Sequence, residues 1–404
     1  QLSWKVGAVS THYPMPGKIC YNKEYMSSNS WATPLRASLA SRQLVIVGLG
    51  REGWSSYQFL RKISPDSPVI LIDDLPLEKL ASHWQSALAD SHNTFMTSDA
   101  ALRHPSWATA TTLVVKSPGL PLYHSLVKYI QHQHLDITSN TDLLYQVLEV
   151  LPPGSVEVIG ITGTKGKSTT TTFLHHLLET AKLPTVLGGN IGVPPLDCLE
   201  TIEELIDQSI HPVRVVLEQS CHQLDDLRRS PHISIIQNIV SEHLDYYPTF
   251  DRYLSAKSSI TQYQNTKDYA IANSHHPTAW GVATLSAGTV LDSDPSVWHD
   301  ADRLFWRKTG EVLCTLADLP LKGVHNQENI IPGLVVAELL DLPSSVIREA
   351  VLSFQPLPHR LQLVGVVNNV EYINDSLATV PDAAVAALAT FSQKKVVLLA
   401  GGYD

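Results

Sequence analysis

Short apolar runs recur along the chain and alternate with segments whose apolar residues fall at helical spacing. The runs at 44–47, 69–72 and 112–115 predict three strands, and the runs at 156–161, 213–217 and 233–236 predict three more. Helices are expected between them, for example after 44–47 and after 156–161. Strands that alternate with helices are typical of parallel sheets, so the pattern predicts an α/β fold.

Proline-rich segments interrupt this pattern at two places. Pro152-Pro153-Gly154 and Pro356-Leu357-Pro358 are predicted linkers. We therefore predict an N-terminal extension over 1–42, a Rossmann-like domain over 43–150, a central P-loop domain over 151–355 and the start of a third α/β domain over 356–404. The third domain is expected to be truncated, because one β-α-β unit with strands at 370–373 and 395–400 buries too little surface for a core.

The turn after the run at 156–161 carries the strongest chemical signal. It reads Thr162-Gly163-Thr164-Lys165-Gly166-Lys167-Ser168 and leads into an apolar helix, although Ile161 replaces the first glycine of a standard Walker A motif. Such a turn presents backbone N–H groups and a helix N-terminus to phosphate. Lys167 is predicted to reach the β- and γ-phosphates, and Ser168 to bind Mg²⁺. The alternative, a turn without a ligand, does not explain why strand, turn, Lys-Ser pair and helix coincide.

A second glycine turn follows the run at 44–47. Gly48, Gly50 and Gly53 match the G-x-G-x-x-G pattern, and Asp73 follows about twenty positions later, as in dinucleotide-binding units. The match is weak alone, since glycine-turned βαβ units without a nucleotide are common. Ser117 follows the run at 112–115, at the kind of strand end where α/β sheets bind ligands.

Three further polar residues follow the predicted strands downstream of the phosphate turn. Glu218 suits a hard cation such as Mg²⁺. His243 could be a metal ligand or a general base, although a lone histidine is more often a surface or core residue. Lys257 alone is typical of a solvated helix position. Because the carboxyl ends of parallel strands meet at one edge of a sheet, we expect these residues to converge beside the phosphate turn.

The composition narrows the possible functions. The net charge of −10, the isoelectric point near 6.0 and the lack of a basic run argue against a nucleic-acid-binding surface. The four cysteines are far apart and have no C-x-x-C spacing, which indicates a reducing cytoplasm and no metal finger. No apolar run approaches membrane-spanning length. We therefore predict a cytoplasmic protein that acts on small molecules, without nucleic acid or a membrane span.

Several motifs together carry a family resemblance. In chain order they are 162–168, Glu218-Gln219-Ser220-Cys221-His222-Gln223-Leu224, 238–245, Tyr253-x-x-x-Lys257, His325-Asn326-x-x-Asn329, His359-Arg360 and Asn374-Asp375-Ser376-x-Ala378-Thr379. The series resembles the Mur ligases, which are ATP-dependent amide-forming enzymes of peptidoglycan precursor synthesis. It spans residues 44–404, and its motifs are specific jointly rather than singly. The branch that it resembles most adds D-glutamate to UDP-N-acetylmuramoyl-L-alanine.

The resemblance implies three domains that bind the UDP moiety, ATP and the incoming amino acid, in that order. ATP phosphorylates the substrate carboxylate, and the amine of glutamate attacks the acyl phosphate. Two Mg²⁺ ions are expected to offset the charge of the phosphates. In such enzymes the lysine matching Lys257 is carbamylated, and the resulting anion binds the second Mg²⁺ together with the residue matching His243.

The resemblance also implies roles for individual residues. The residues that contact ATP are Thr164, Gly166, Lys167, Ser168, Thr169, Asn326, Asn329, Arg360 and Asp375. Those that face the UDP-sugar substrate are Gly50, Arg51, Asp73, Ser117, Asn190 and Ser220, and Thr379 faces the glutamate. The metal ligands are Ser168, Glu218, His243 and Lys257, and the catalytic residues are Lys167, His243 and Lys257.

Some positions differ from the family pattern. Leu377 stands where the family commonly has lysine, and Glu52 in the first glycine turn is expected to repel a diphosphate. One open alternative is a Mur-type ligase that adds L-glutamate or uses another nucleotide-linked carboxylate. The other, which the truncated third domain allows, is a catalytically silent nucleotide-binding subunit. A P-loop kinase or GTPase is a poorer match, because no guanine-reading motif is evident. A monomer is expected.

Overall fold

The computed structural model describes residues 32–300, 302–321, 323–376, 378 and 381–401. Two parallel sheets and two antiparallel hairpins form its β-structure, which confirms the predicted α/β class. None of the helices in this described part is both long and apolar enough to cross a membrane.

The first sheet is built by the strands β1 Gln43–Val47, β2 Val69–Asp73, β3 Asn93–Thr97, β4 Thr112–Lys116 and β5 Asp136–Thr138. The accompanying helices are α1 Ala32–Leu39, α2 Arg51–Ile63, α3 Ser82–Ala87, α4 Ser98–Arg103, α5 Ser125–His132 and α6 Asn140–Val150. All five strands are parallel, in the order β3-β2-β1-β4-β5. The chain continues from β1 to β2 on one side of the sheet and from β4 to β5 on the other side. The loops that follow β1 and β4 therefore diverge, and a crevice opens between them.

Helix α1 lies within the predicted N-terminal extension. Its Leu35 and Leu39 are buried in the same core as Leu44 and Ile46 of β1. Residues 32–42 therefore pack as part of the first domain, because their apolar side chains complete the cover over one face of the sheet. Residues 1–31 of the extension lie outside the described part.

The second sheet is built by β6 Val156–Thr162, β7 Thr185–Gly189, β8 Val213–Glu218, β9 Ile233–Ile236, β10 Tyr269–Ala272 and β11 Thr289–Asp292. Its helices are α7 Lys167–Thr180, α8 Leu199–Gln208, α9 Cys221–Leu224, α10 Phe250–Gln262, α11 Pro277–Ala283, α12 Val324–Leu339 and α13 Ser344–Ser353. A hairpin of β12 Arg303–Trp306 and β13 Glu311–Thr315 precedes α12. The strand order is β11-β10-β9-β6-β8-β7, so β6 is central and the loops after β6, β8 and β9 adjoin one another.

The C-terminal part differs from the β-α-β unit that the sequence predicts. The strands β14 Gln362–Val367 and β15 Val370–Asn374 pair antiparallel, and helix α14 Pro381–Thr390 follows. The predicted strand at 395–400 is wrong, because these residues pair with no strand of the described chain and Leu399 is 92% exposed. A strand is defined by its ladder of hydrogen bonds, and apolar composition alone does not provide one.

Candidate active site

The phosphate loop occupies the turn between β6 and α7, as the sequence predicts. Gly166 has φ +87°, and a Cβ atom there would clash with the side-chain oxygen of Asn329. Only glycine combines this left-handed backbone with so close an approach. The carbonyl oxygen of Asn329 also accepts a hydrogen bond from Thr170 Oγ1 at 2.7 Å. Asn329, one of the two predicted ATP-binding residues of α12, therefore lies directly against the phosphate loop.

Thr164 anchors this loop to the segment after β9. Its hydroxyl donates to the carbonyl oxygen of Val240 at 3.0 Å, accepts from the Val240 amide at 3.0 Å and lies 2.8 Å from the hydroxyl of Tyr253. Ser168 and Thr169 occupy the first turn of α7, and Thr169 is buried. At this position their N–H groups belong to the unsatisfied donors of a helix N-terminus, which suit an anion.

Two lysines lie on the inner side of the loop. Lys167 Nζ donates to the carbonyl oxygens of Gly163 and Thr164 at 2.9 and 3.0 Å. Lys257 Nζ donates to the same Gly163 oxygen at 2.7 Å, and the residue is 1% exposed. Burial, and after it the charge of the neighbouring Lys167, lower the pKa of Lys257 from 10.5 to about 7. Burial also lowers the pKa of Lys167, while Glu218 opposes that shift. Lys257 is therefore not the solvated helix residue that its position alone suggests, and it lies beside the phosphate turn as expected from the strand order.

Glu218 ends β8 and is 1% exposed. Its Oε1 accepts a hydrogen bond from Asn190 Nδ2 at 2.7 Å, and its carbonyl oxygen accepts from the Asn190 amide at 2.8 Å. Its Oε2 is buried and has no hydrogen-bond partner among the described residues. A buried carboxylate oxygen without a donor is destabilised unless a cation neutralises it, so this residue fits a Mg²⁺ ligand.

His243 follows β9 and has φ +57°, a left-handed conformation that is costly for a side chain of its size. Its side chain is 43% exposed, and its Nε2 lies 3.8 Å from Glu242 Oε2. The rings of His222 and His243 are 5.1 Å apart, and Tyr253 lies 6.2 Å from His243. Lys257 is held 4.9 Å above the ring centre of the same Tyr253. Tyr253 therefore connects the phosphate loop, His243 and Lys257.

Few side chains in this site could act as metal ligands. Within the described ranges, no three His, Cys, Asp or Glu side chains converge as a metal site. Mg²⁺ often takes only one or two protein ligands, with water and phosphate oxygens completing its shell. The first ion predicted at Ser168 and Glu218 and the second predicted at His243 and Lys257 both stay predictions.

Four of the six residues predicted to face the UDP-sugar lie at the crevice of the first sheet, and the other two, Asn190 and Ser220, follow strands of the second sheet. A Cβ at Gly48 would lie 2.6 Å from that of Ser117, so glycine permits the two loops to touch. Asp73 Oδ2 accepts the amide of Leu49 at 2.7 Å. Arg51 Nη1 donates to the carbonyl oxygen of Gly192 at 3.1 Å. Gly192 lies in a glycine loop of the second sheet, and the same loop carries Asn190. Two of these predicted substrate residues, Arg51 and Asn190, therefore lie on adjoining loops of the two domains.

A cavity of about 360 Å³ adjoins this first glycine turn. It is lined by Leu49, Gly50, Arg51, Trp54, Ala81, His83 and Asp197. The rings of Trp54 and His83 are 4.1 Å apart. Sequence reasoning missed both rings, because Trp54 reads as an ordinary apolar position of α2 and nothing in the pattern brings α3 beside it.

The predicted residues from the end of the chain approach the site in part. Asp375 Oδ1 accepts the amide of Leu361 at 3.0 Å, which holds it beside the Arg360 segment. Burial lowers the pKa of His325 in the first turn of α12; Arg360 adds to this effect and Asp375 opposes it. Arg360 and Asp375 therefore lie close enough to the first turn of α12 for their charges to affect His325. Thr379, predicted to face the glutamate, lies outside the described residues, as does Leu377.

Comparisons with known proteins agree with this geometry. The family model for the Mur ligase middle domain matches residues 161–337, which include the phosphate loop, Glu218, His243 and Lys257. The UDP-N-acetylmuramoyl-L-alanine–L-glutamate ligase of Xanthomonas oryzae pv. oryzae is 34% identical over 376 residues, which are 90% of this chain and 75% of that protein. The UDP-N-acetylmuramoylalanine–D-glutamate ligase of Streptococcus gordonii is 30% identical over 376 residues, 91% of this chain and 78% of that protein.

Solved structures show the same fold. MurF from Acinetobacter baumannii aligns over 90% of this chain and 76% of its own, with a TM-score of 0.55 and 18% identity. MurF ligase from Thermotoga maritima, solved in complex with ADP, aligns with a TM-score of 0.50 and 16% identity over 88% of this chain and 75% of its own. Together with the relatives at 30% identity and above, the fold and the phosphate-loop site show that this chain belongs to the Mur ligase family of ATP-dependent ligases.

Proposed function

We propose that this protein joins glutamate to the carboxylate of UDP-N-acetylmuramoyl-L-alanine, at the expense of ATP, as a step of peptidoglycan precursor synthesis in the cytoplasm. The observation that carries the proposal is the convergence of Lys167, Lys257 and the unpartnered Glu218 oxygen at one sheet edge. This edge is joined, through Arg51 and Gly192, to the glycine turn of the first domain. This arrangement supports a phosphate-transfer site beside a site for a nucleotide-linked substrate.

In the first step, a carboxylate oxygen of the substrate attacks the γ-phosphorus of ATP, and the bond from that phosphorus to the ADP oxygen breaks. Lys167 and the N–H groups of the phosphate loop hold the β- and γ-phosphates in line with the attacking oxygen. Ser168 and Glu218 would hold a Mg²⁺ ion, whose positive charge would offset the negative charge of the phosphate oxygens. Asn326 and Asn329 hold the nucleotide from α12, and Arg360 and Asp375 contact it from the C-terminal part.

In the second step, the amine of glutamate attacks the acyl carbon, and the carbon–oxygen bond to phosphate breaks. The products are an amide, ADP and inorganic phosphate, and the amine releases its protons. Asn190 and Ser220 orient the muramoyl part of the substrate, and Thr379 receives the glutamate carboxylate. Gly50, Arg51, Asp73 and Ser117 hold the uridine diphosphate in the crevice of the first domain.

We also propose that Lys257 carries a carbamate in the active enzyme. The support is geometric: an unmodified Lys257 donates to the same carbonyl oxygen as Lys167, within a buried site. A carbamate replaces a second ammonium with an anion and so converts repulsion from Lys167 into attraction. His243 and this anion would then hold the second Mg²⁺.

Either enantiomer of glutamate is a candidate for the acceptor substrate. D-Glutamate is the acceptor that the sequence motifs predict. L-Glutamate is the second candidate, because relatives named as L-glutamate ligases from Xanthomonas oryzae and Xanthomonas axonopodis match this chain at 33–34% identity over 90–91% of its length.

The decisive experiment measures phosphate release and product mass with ATP, Mg²⁺, UDP-N-acetylmuramoyl-L-alanine and each glutamate enantiomer. Product that depends on ATP, on the nucleotide-sugar and on one enantiomer supports the proposal. ATP binding without product in any combination would instead favour the catalytically silent subunit. Product from another amino acid, but not from glutamate, would remove glutamate as the acceptor.

A further inference from the structure

Glu52 connects the two domains at a point that neither the sequence motifs nor the proposed chemistry explains. It lies in the first turn of α2, directly after Arg51, and its Oε1 accepts a hydrogen bond from Gln223 Nε2 at 2.8 Å. Gln223 belongs to α9 of the second domain and is 2% exposed. The carboxylate therefore points toward the second domain, and the repulsion of a diphosphate expected from the sequence does not follow from this orientation.

The other end of the Gln223 amide holds Ser220. Gln223 Oε1 accepts the backbone N–H of Ser220 at 3.0 Å and its hydroxyl at 3.2 Å, while Ser220 Oγ accepts the N–H of Gln223 at 3.2 Å. This is a complete capping box, so the position of Ser220 depends on where the amide of Gln223 points. Because its oxygen faces the Ser220 N–H, its NH₂ group must face Glu52.

Neighbouring groups fix Glu52 in place. The carbonyl oxygen of Glu52 accepts from Ser56 Oγ at 2.8 Å and from Asn140 Nδ2 at 3.3 Å. Lys116, which lines the same narrow space as Glu52, pairs with Asp226 of the second domain at 2.9 Å. Glu52 Oε2 is buried without a hydrogen-bond partner in the described chain, so Gln223 provides the observed polar contact of this carboxylate.

We propose that Glu52 is a positioning residue that sets the orientation of Ser220 through the amide of Gln223. Through this relay, the glycine turn of the first domain and the substrate loop of the second domain adopt their binding geometry together. The inference rests on the proposed function for the role of Ser220. It adds the residue that couples the two halves of the nucleotide-sugar site.

The test uses four variants of the full chain. Glu52→Ala removes the acceptor, Glu52→Gln keeps an oxygen acceptor, and Gln223→Glu sets two carboxylates against each other. The exchanged pair E52Q/Q223E restores an amide facing a carboxylate, and the new carboxylate still accepts the Ser220 N–H. The matched control is Glu149→Ala, because Glu149 also bonds across the domains, to Arg229 at 2.9 Å, but does not contact Gln223.

We expect Glu52→Ala and Gln223→Glu to raise KM for UDP-N-acetylmuramoyl-L-alanine about tenfold, the effect of losing roughly one charge-assisted hydrogen bond. The KM for ATP should change less than about twofold. Glu52→Gln and E52Q/Q223E should recover to within about threefold of the wild type, and Glu149→Ala should match the wild type. Failure of E52Q/Q223E to recover, or equal losses in Glu52→Ala and Glu149→Ala, would overturn the relay.

A second measurement separates this inference from the proposed function. Hydrogen exchange of the amides at 220–224 in the free protein needs no substrate. We expect faster exchange there in Glu52→Ala and Gln223→Glu, with wild-type exchange in E52Q/Q223E. If the wild type makes no product but this pattern holds, the proposed function fails and the relay stands. Unchanged exchange in all variants would overturn the relay itself.

Discussion

Lys167 and Lys257 donate hydrogen bonds to the same acceptor, the carbonyl oxygen of Gly163, at 2.9 and 2.7 Å. Two cations that share one oxygen repel each other, and the repulsion is strong because Lys257 is 1% exposed. The arrangement is favourable once phosphate is bound to Lys167 or Lys257 loses its positive charge. Either condition would remove the repulsion and so make the burial of Lys257 beside Lys167 tolerable.

Lys167→Ala is expected to reduce ATP-dependent ligation by on the order of a hundredfold or more, because the variant loses the charge that holds the transferred phosphate. The fold should persist, since Lys167 fills no part of the apolar core. Lys165→Ala is the matched control: its ammonium lies in the same loop but pairs with Glu242, and 48% of its side chain is exposed. The rate of phosphate release gives the activity of both variants. Equal losses in the two variants would argue against a specific role for Lys167.

Lys257→Ala and Lys257→Arg are both expected to be nearly inactive, because neither side chain forms a carbamate. Added formate or acetate should partly restore Lys257→Ala by supplying the missing anion. It should not restore Lys257→Arg, in which a cation fills the space. The measurement is turnover with and without the added carboxylate. An active Lys257→Arg enzyme would contradict the carbamate proposal.

Gly166→Ala is expected to destabilise the phosphate loop, because φ is +87° there and a Cβ would clash with Asn329. The backbone strain alone costs about 1–2 kcal/mol, and displacement of Asn329 should also weaken ATP binding. Gly281→Ala in helix α11 is the control, since a Cβ there meets nothing within 4 Å. Thermal unfolding and nucleotide titration measure both effects. A Gly166→Ala variant with wild-type nucleotide affinity would show that the loop tolerates the strain.

The stability of the protein should fall with rising pH through the titration of Glu52. Burial raises the pKa of Glu52 from 4.5 to about 7, against the opposing effects of Gln223, Arg51 and Lys116. The folded state therefore holds this proton at pH values where the unfolded state has lost it. The stabilising contribution is present below about pH 4.5 and is lost as the pH rises through about 7.

The pH effect is measured against Glu52→Gln, which cannot titrate. The difference in unfolding free energy between wild type and variant should decrease from pH 5 to pH 8, by at most about 3 kcal/mol. Urea unfolding at several pH values gives this difference, and the remaining titrating groups largely cancel. A difference that is independent of pH would show that Glu52 keeps an ordinary pKa in the folded protein.

The enzyme should discriminate between the glutamate enantiomers by at least about tenfold in kcat/KM, since only one enantiomer presents its amine to the acyl carbon when both carboxylates are held. The sequence motifs predict D-glutamate as the preferred substrate. A preference for L-glutamate would assign the protein to the other branch of the family. Parallel kinetics with both enantiomers at saturating ATP decide between them.

The sequence by itself determined the features that depend on local pattern. The strand–turn–helix of the phosphate loop, the strand ending at Glu218 and the first glycine turn were predictable, because each is set by consecutive residues and by glycine at special backbone positions. The family resemblance rested on these same short motifs, which the relatives and the family model confirm. The strand predicted at 395–400 failed for the opposite reason, since apolar residues do not specify a partner strand.

Only the tertiary structure decided which distant residues meet. The contact between Glu52 and Gln223 spans 171 positions, and the contact between Lys257 and Gly163 spans 94. No local pattern encodes such contacts, because they depend on the strand order of two sheets and on how the two domains pack. The burial of Lys257 differs from what its helix position alone suggests, and the orientation of Glu52 reversed the expected repulsion of a diphosphate. The energy of a charged group is set by its surroundings in space, and the fold alone supplies those surroundings.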